Sequence, residues 1–285
     1  MTQAETLDRR LLQFPLCEVS TALGRMAYRE AGQAAPAVTH VLLHGIGSGS
    51  ANWLRQLEAA ARSDGLGVLA WEAPGYGSSA PVASMSPDAS DYAERLWAWL
   101  DALGVQRPVT LVGHSLGALM AARAARQQPD RVARMVLLAP AQGYARAPAA
   151  ERERKLADRL AAVQSLGPSG VAERRGAAMV SSQASPDIIR FVQEAMARIQ
   201  PAGYAQAARL LAGGNLLGDI EHYTGLLAVA SGRADTITPP DACQQVAAAG
   251  RVNWTDLGNV GHACPLEAAD AINHLLGLHA EDMPA

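Results

Sequence analysis

Short apolar runs with β-branched members recur along this chain, separated by stretches with helical patterning, and that alternation leaves few architectures open. The runs lie at 24–29, 38–43, 67–71, 109–112, 134–139, 226–230 and 251–254. Near-continuous apolar runs of this length suit strands covered on both faces. Between them, residues 88–103 put Ala93, Leu96, Trp97, Leu100 and Leu103 on one helical face. Together they predict an α/β fold: a mostly parallel central sheet with helices on both faces.

The alternation stops between 141 and 224, where no convincing strand occurs. Charged amphipathic helices take its place. Residues 151–163 carry Leu156, Leu160 and Val163, while Ser185, Pro186 and Asp187 form a helix start ahead of Ile188, Val192, Met196 and Ile199. The expected organisation is a core of 1–140 and 225–285, with 141–224 as a helical cap over the pocket. Met179, Phe191, Met196 and Leu210 are the candidate apolar lining residues contributed by that cap.

Composition narrows the function. With 285 residues and 49% hydrophobic content, the chain can bury one large core with an insertion. A net charge of −3 without a long basic stripe argues against a nucleic-acid partner and for a small-molecule substrate. Cys17, Cys243 and Cys264 are odd in number and lack CxxC spacing, which argues against a disulfide framework or a zinc site, so no metal is expected. The first ten residues are polar and no apolar segment long enough to export or anchor the chain follows, so a cytoplasmic protein without membrane association is expected. No repeat, heptad or evident interface appears, and a homodimer stays open as a partner state.

The run 109–112 leads into Gly113, His114, Ser115, Leu116 and Gly117, and an alanine-rich helical stretch, 118–126, follows. A serine between glycines at a strand-to-helix turn reads as a nucleophile in a strained backbone, where only small neighbours fit. A serine hydroxyl needs a base, and the base needs an acid to hold its tautomer. Of the seven histidines, His262 at the end of the glycine-rich loop 258–261 is the best base. His274 and His279 fall in a C-terminal helical segment, His222 ends the insertion, and His40 sits in a strand. His44 reads as a loop brace and His114 as structural. For the acid, Asp235 follows the run 226–230, with Asp256 as the main rival and Asp219 as another downstream acid. Oxyanion donors are expected from the backbone N–H of Leu116 and of Ile46, the latter in the loop His44, Gly45, Ile46, Gly47.

With these pieces in place, the chain resembles the α/β-hydrolase fold superfamily, serine-nucleophile branch, over nearly its whole length. The matching segments are LLHGIGSGSANW, AWEAPGYGSSAP, VGHSLG, GRADTITPP and GNVGHACPLE. The resemblance implies Ile46 as an oxyanion donor, Asp235 as the triad acid, His262 as the base and the insertion as a lid. It also implies hydrolysis of a small carboxylic ester or lactone through an acyl-enzyme, with no metal or organic cofactor. Glu72 departs from the aspartate that relatives often carry before the PGxGxS turn. HGIGSGSANW, with Asn52, also resembles hydrolases that cleave carbon-carbon bonds in ring-fission products, whereas Ala263 stands where that group carries tryptophan. Ser115 argues against haloalkane dehalogenases and epoxide hydrolases, which use a carboxylate there. The remaining alternative is a non-catalytic receptor for a small ligand on the same fold.

Overall fold

The computed structural model describes residues 6–35 and 37–278. His279 and residues 1–5 lie outside the described residues. Eight strands form one sheet: β1 (Cys17–Thr21), β2 (Gly24–Gly32), β3 (His40–Leu43), β4 (Gly67–Trp71), β5 (Val109–His114), β6 (Val132–Leu138), β7 (Leu226–Ser231) and β8 (Trp254–Asp256). Their order is β1-β2-β4-β3-β5-β6-β7-β8. β2 pairs antiparallel with β1 and β4, and every other pairing is parallel.

Six of the seven expected runs become strands, and one needs correction. The strand expected at 251–254 begins only at Trp254, because Arg251 turns the chain with φ of 56° just after a helix has ended at Ala249. β1 carries almost no sequence signal. It is an edge strand of five residues that alternates half-buried and exposed positions, so it lacks the apolar run that marks its buried neighbours.

Among the described residues eleven α-helices accompany the sheet: α1 (Leu7–Leu11), α2 (Leu54–Ala61), α3 (Ala89–Ala102), α4 (Gly117–Gln127), α5 (Ala149–Arg175), α6 (Pro186–Ala197), α7 (Pro201–Gly213), α8 (Leu216–Ile220), α9 (Pro240–Ala249), α10 (Cys264–Glu267) and α11 (Ala269–Leu276). Right-handed crossovers fix their sides. The chain moves one way along the sheet from β3 to β4 through α2, then the other way from β4 to β5 through α3, so the two helices lie on opposite faces. α4 and α9 continue in the direction of α3, while α11 packs on α2. The strand order therefore reverses between β3 and β5. That reversal opens a crevice at their carboxyl ends, where open α/β sheets bind ligands.

Local chemistry supports these boundaries. Asp88 caps α3 in a reciprocal box with Asp91, and α3 buries Tyr92, Ala93, Leu96, Trp97, Trp99 and Leu100. The Ser185 hydroxyl accepts from the Ile188 amide at the start of α6, with Pro186 in the first turn. Between β6 and β7 the described residues hold α5 to α8 and no strand, with α5 packed on α6 and α7. The helix expected at 151–163 is the first arm of α5. A break at Gly167 (φ 64°, ψ 177°), followed by Pro168, divides α5 into two arms.

Candidate active site

Parallel pairing sets Leu43 opposite Gly113, so the loops leaving β3 and β5 emerge side by side in the crevice. Ser115 leaves β5 with φ of 53°, a left-handed conformation that costs a non-glycine residue about 1–3 kcal/mol. Its surroundings hold it there: its amide donates to the Leu138 carbonyl (3.0 Å), and its carbonyl accepts from the amides of Ala118 and Ala141 (both 3.1 Å). The flanking glycines answer to sterics. A Cβ on Gly117 would lie 2.2 Å from the Leu43 carbonyl oxygen, and one on Gly113 would lie 2.5 Å from the Gly117 oxygen.

His262 arrives on the loop between β8 and α10, and Asp235 on the loop after β7. Both are buried, and the His262 Nδ1 lies 2.8 Å from the Asp235 Oδ2. The other oxygen of Asp235 accepts from the amides of Ile237 (2.8 Å) and Thr238 (2.9 Å). Thr238 Oγ1 stands 2.8 Å from Asp235 Oδ2 and 3.1 Å from His262 Nδ1, so it braces both. Burial by itself would raise the Asp235 carboxyl. The hydrogen bond and charge of His262, with the Thr238 donors, outweigh burial and hold it below the ordinary carboxylate range.

The rival acids are engaged elsewhere. Asp256 pairs with Arg233 and accepts from the Gly258 amide on an exposed loop. Asp219 is buried against Arg123 and Arg126. The structure therefore brings His262 to Asp235 alone of the three.

The other histidines near the crevice have bonding positions that fix neutral rings. His44 Nε2 accepts from the Ala73 amide (3.0 Å) and its Nδ1 donates to the Gly45 carbonyl (2.9 Å), which ties the β3 loop to the β4 loop. His114 Nε2 donates to the His262 carbonyl (2.8 Å), while burial, reinforced by the neighbouring His262, takes its pKa down to about 3. Glu72 accepts from both the amide (3.1 Å) and the hydroxyl (2.6 Å) of Ser50. It thus steadies the far end of the β3 loop as well as the turn it precedes.

Ser115, Leu116, Ile46 and His262 are walls of one cavity, which Met179 and Met196, from the helical insertion between β6 and β7, also line. The side chains of Ser115 and His262 face the same space without a hydrogen bond, a separation common before substrate arrives. Leu116 heads α4, so its amide has no intrahelical acceptor. A second compartment continues past His262, where Phe191, Val192, Asn52, His114 and Ala263 form its walls. Leu210 is a correction: it is fully buried and lines neither compartment, while Leu211 does line the first. Adjacent helical residues point about 100° apart, so the choice between the two is invisible without the helix's orientation. Sequence reasoning also missed Thr238, Tyr144, Tyr204 and two arginines of α5, Arg159 and Arg175, which share the first cavity. Polar residues on a charged helix carry no pattern that separates a lining position from a solvated one.

Among the described residues, no three His, Cys, Asp or Glu side chains converge as a metal site would, and no helix is long and apolar enough to cross a membrane. The cysteines are free thiols.

Comparison with known proteins agrees with the topology. The chain is 34% identical over 124 residues to 2-hydroxy-6-oxononadienedioate/2-hydroxy-6-oxononatrienedioate hydrolase 2 of Pseudomonas putida, an alignment covering 42% of each chain. It is 35% identical over 117 residues to a 2-hydroxy-6-oxononadienedioate/2-hydroxy-6-oxononatrienedioate hydrolase of Paraburkholderia phymatum, covering 40% of this chain and 39% of that one. The matched region thus spans about two fifths of these curated relatives. Among solved structures, the enol-lactonase of Burkholderia xenovorans superposes with a TM-score of 0.79 at 19% identity, over 92% of this chain and 98% of the other. A malate-bound thermophilic esterase from Thermogutta terrifontis gives 0.78 at 20% identity, over 93% and 100%. At such identities the likeness concerns the fold. The model of the alpha/beta hydrolase family matches residues 41–275, from the second residue of β3 to α11, and with the crevice, sheet order and loops described above this chain belongs to that family.

Proposed function

We propose that this chain is a serine hydrolase that cleaves a small carboxylic ester or lactone through an acyl-enzyme. The observation that carries the reading is the 2.8 Å contact between His262 Nδ1 and a buried Asp235, which leaves the other ring nitrogen of His262 for the cavity it shares with Ser115. In the first half-reaction the Ser115 oxygen bonds to the substrate carbonyl carbon and its proton passes to His262. The C–O bond to the leaving group then breaks, and the alcohol departs with that proton. In the second, His262 takes a proton from water, the hydroxide oxygen bonds to the acyl carbon, and the Ser115 oxygen leaves and regains a proton. The amides of Ile46 and Leu116, residues that line the same cavity, receive the oxyanion in both steps. The substrate is a small molecule, and residues 141–224 act as its lid.

A fluorophosphonate probe and a panel of p-nitrophenyl esters and lactones test the reading. Labelling and turnover in the native protein, both abolished in Ser115→Ala, are expected. Turnover retained by that variant removes Ser115 as nucleophile, and a native protein that neither labels nor turns over any member belongs to the receptor class instead.

A second reading, carbon-carbon cleavage of a ring-fission product by the same three residues, has its own support. The Asn52 side-chain nitrogen is buried without a partner at the second compartment, where it could meet a polar substrate atom, and the curated relatives carry that activity in their names. Turnover of a vinylogous diketone far faster than of any ester selects it.

A further inference from the structure

Arg159 and Arg175 are sixteen residues apart, which on an unbroken helix separates them by about 24 Å along the axis at 1.5 Å per residue. Both nevertheless line the cavity that holds Ser115 and His262, because α5 breaks at Gly167 and its two arms each bring one arginine to the same wall. Val171, one turn before Arg175 on the second arm, lines the cavity with it. The arginines also border an outer groove shared with Val171 and Ile237, so they stand between the reactive serine and the exterior.

Two guanidinium groups drawn together this way repel. Burial lowers the Arg175 pKa and the nearby Arg159 charge lowers it further, whereas the Tyr204 and Tyr144 hydroxyls beside Arg159 sustain its charge against burial. Among the described residues, no carboxylate lies within ion-pairing distance of either arginine. The one acid of the outer groove, Asp158, is turned to Arg154 (3.6 Å). Two half-buried cations facing a cavity with mostly apolar neighbours and no acid of their own leave a charge the protein does not balance.

Resting on the hydrolase reading of this same cavity, we propose that the substrate carries a carboxylate on its acyl part, and that Arg159 and Arg175 bind this carboxylate at the mouth of the cavity. A planar fork matches a carboxylate through paired charge-assisted hydrogen bonds. The arginines thereby select half-esters or lactones of dicarboxylic acids over neutral esters of the same size. The second compartment past His262 is left for the leaving group.

The test pairs mono-p-nitrophenyl succinate with p-nitrophenyl butyrate, which differ by a carboxylate in place of a methyl group. The native protein is expected to favour the succinate at least about tenfold in kcat/KM. Arg159→Gln and Arg175→Gln should each raise KM for the succinate about 10–100-fold, the range for one lost charge-assisted contact, with a much smaller effect on the butyrate, while an unchanged thermal midpoint serves as the folding control. Equal losses on both esters, or no preference in the native protein, overturn the proposal. Calorimetric binding of free succinate to Ser115→Ala provides a readout without turnover. Binding that depends on both arginines in a protein that hydrolyses no ester keeps Arg159 and Arg175 as a carboxylate site and ends the ester-hydrolase reading. Ester turnover with no succinate binding, or with inorganic phosphate bound as well as succinate, does the reverse.

Discussion

Glu267 holds Ser181 through both its amide (3.0 Å) and its hydroxyl (2.6 Å), and the same carboxylate accepts from the Gly261 amide (3.1 Å), one residue before His262. Ser181 lies in the segment between α5 and α6, so one side chain on α10 ties that segment to the loop that carries the histidine. A second strap runs alongside it, from the Ala263 amide to the Met179 carbonyl (2.7 Å). The position of His262 is therefore mechanically linked to the segment between α5 and α6.

Glu267→Ala leaves the Ser181 and Gly261 donors without their acceptor, and each buried donor stranded in this way costs about 1–3 kcal/mol. The expected result is a clear drop in the thermal midpoint together with a fall in kcat, because the histidine loop loses an anchor. Glu267→Gln keeps one acceptor oxygen and should recover part of both. Full activity in the alanine variant would show that the clasp does not position His262.

Asp235→Asn should lower kcat by about 10⁴-fold, the usual consequence of losing the acid that sets the tautomer of a catalytic histidine. Asp256→Asn should change kcat little, since Asp256 serves only Arg233 and its own loop. Steady-state kinetics on one ester compare the two. A reversal of their effects would transfer the acid's role to Asp256.

The sheet was legible because buried strands need near-continuous apolar runs, and the convergence of Ser115, His262 and Asp235 on one crevice because a tight turn and loops that follow strands leave marks in the sequence. Legibility failed where a residue's role depends on orientation rather than type. Leu210 and Leu211 are chemically identical, and only the rotation of α7 decides which one meets the cavity. Arg159 and Arg175 look like two more charges on a solvated helix until the break at Gly167 folds one arm towards the other. Thr238 and Glu267 act through hydrogen bonds between distant segments, a relation that periodicity cannot encode. The edge strand β1 escaped because half of it faces solvent.

Gly117→Ala should be among the most damaging small substitutions in the chain. Its new methyl would sit 2.2 Å from the Leu43 carbonyl oxygen, a backbone atom that cannot swing aside, so β3 and α4 must separate where the loop of His44 to Gly47 begins. A loss of several kcal/mol in denaturant unfolding is expected, in line with overpacking against rigid backbone. Gly65→Ala offers a control for glycine loss itself, since its Cβ would meet nothing within 4 Å, although its φ of 73° still carries strain. If the two variants lose equal stability, crowding at the turn is not what requires Gly117.

Buried neutral histidines predict how stability responds to acid. The pKa of His114 is about 3 in the folded protein, depressed by burial and by His262, against about 6.5 in the unfolded chain. The unfolded state therefore binds the extra proton first. The contribution of His114 is complete above about pH 6.5 and drains away as the pH falls towards 3, by at most about 1.4 kcal/mol per pH unit. Burial also lowers the pKa of His40 and of His44, so both act in the same direction. Asp235, held below its ordinary value, loses its contribution only below about pH 4. Unfolding free energies measured in urea from pH 7.5 to 5 should fall steadily in the native protein. They should fall more gently in His114→Asn, which removes one of the three titrating rings. An unchanged slope in that variant would mean that the His114 ring does not resist protonation in the folded protein.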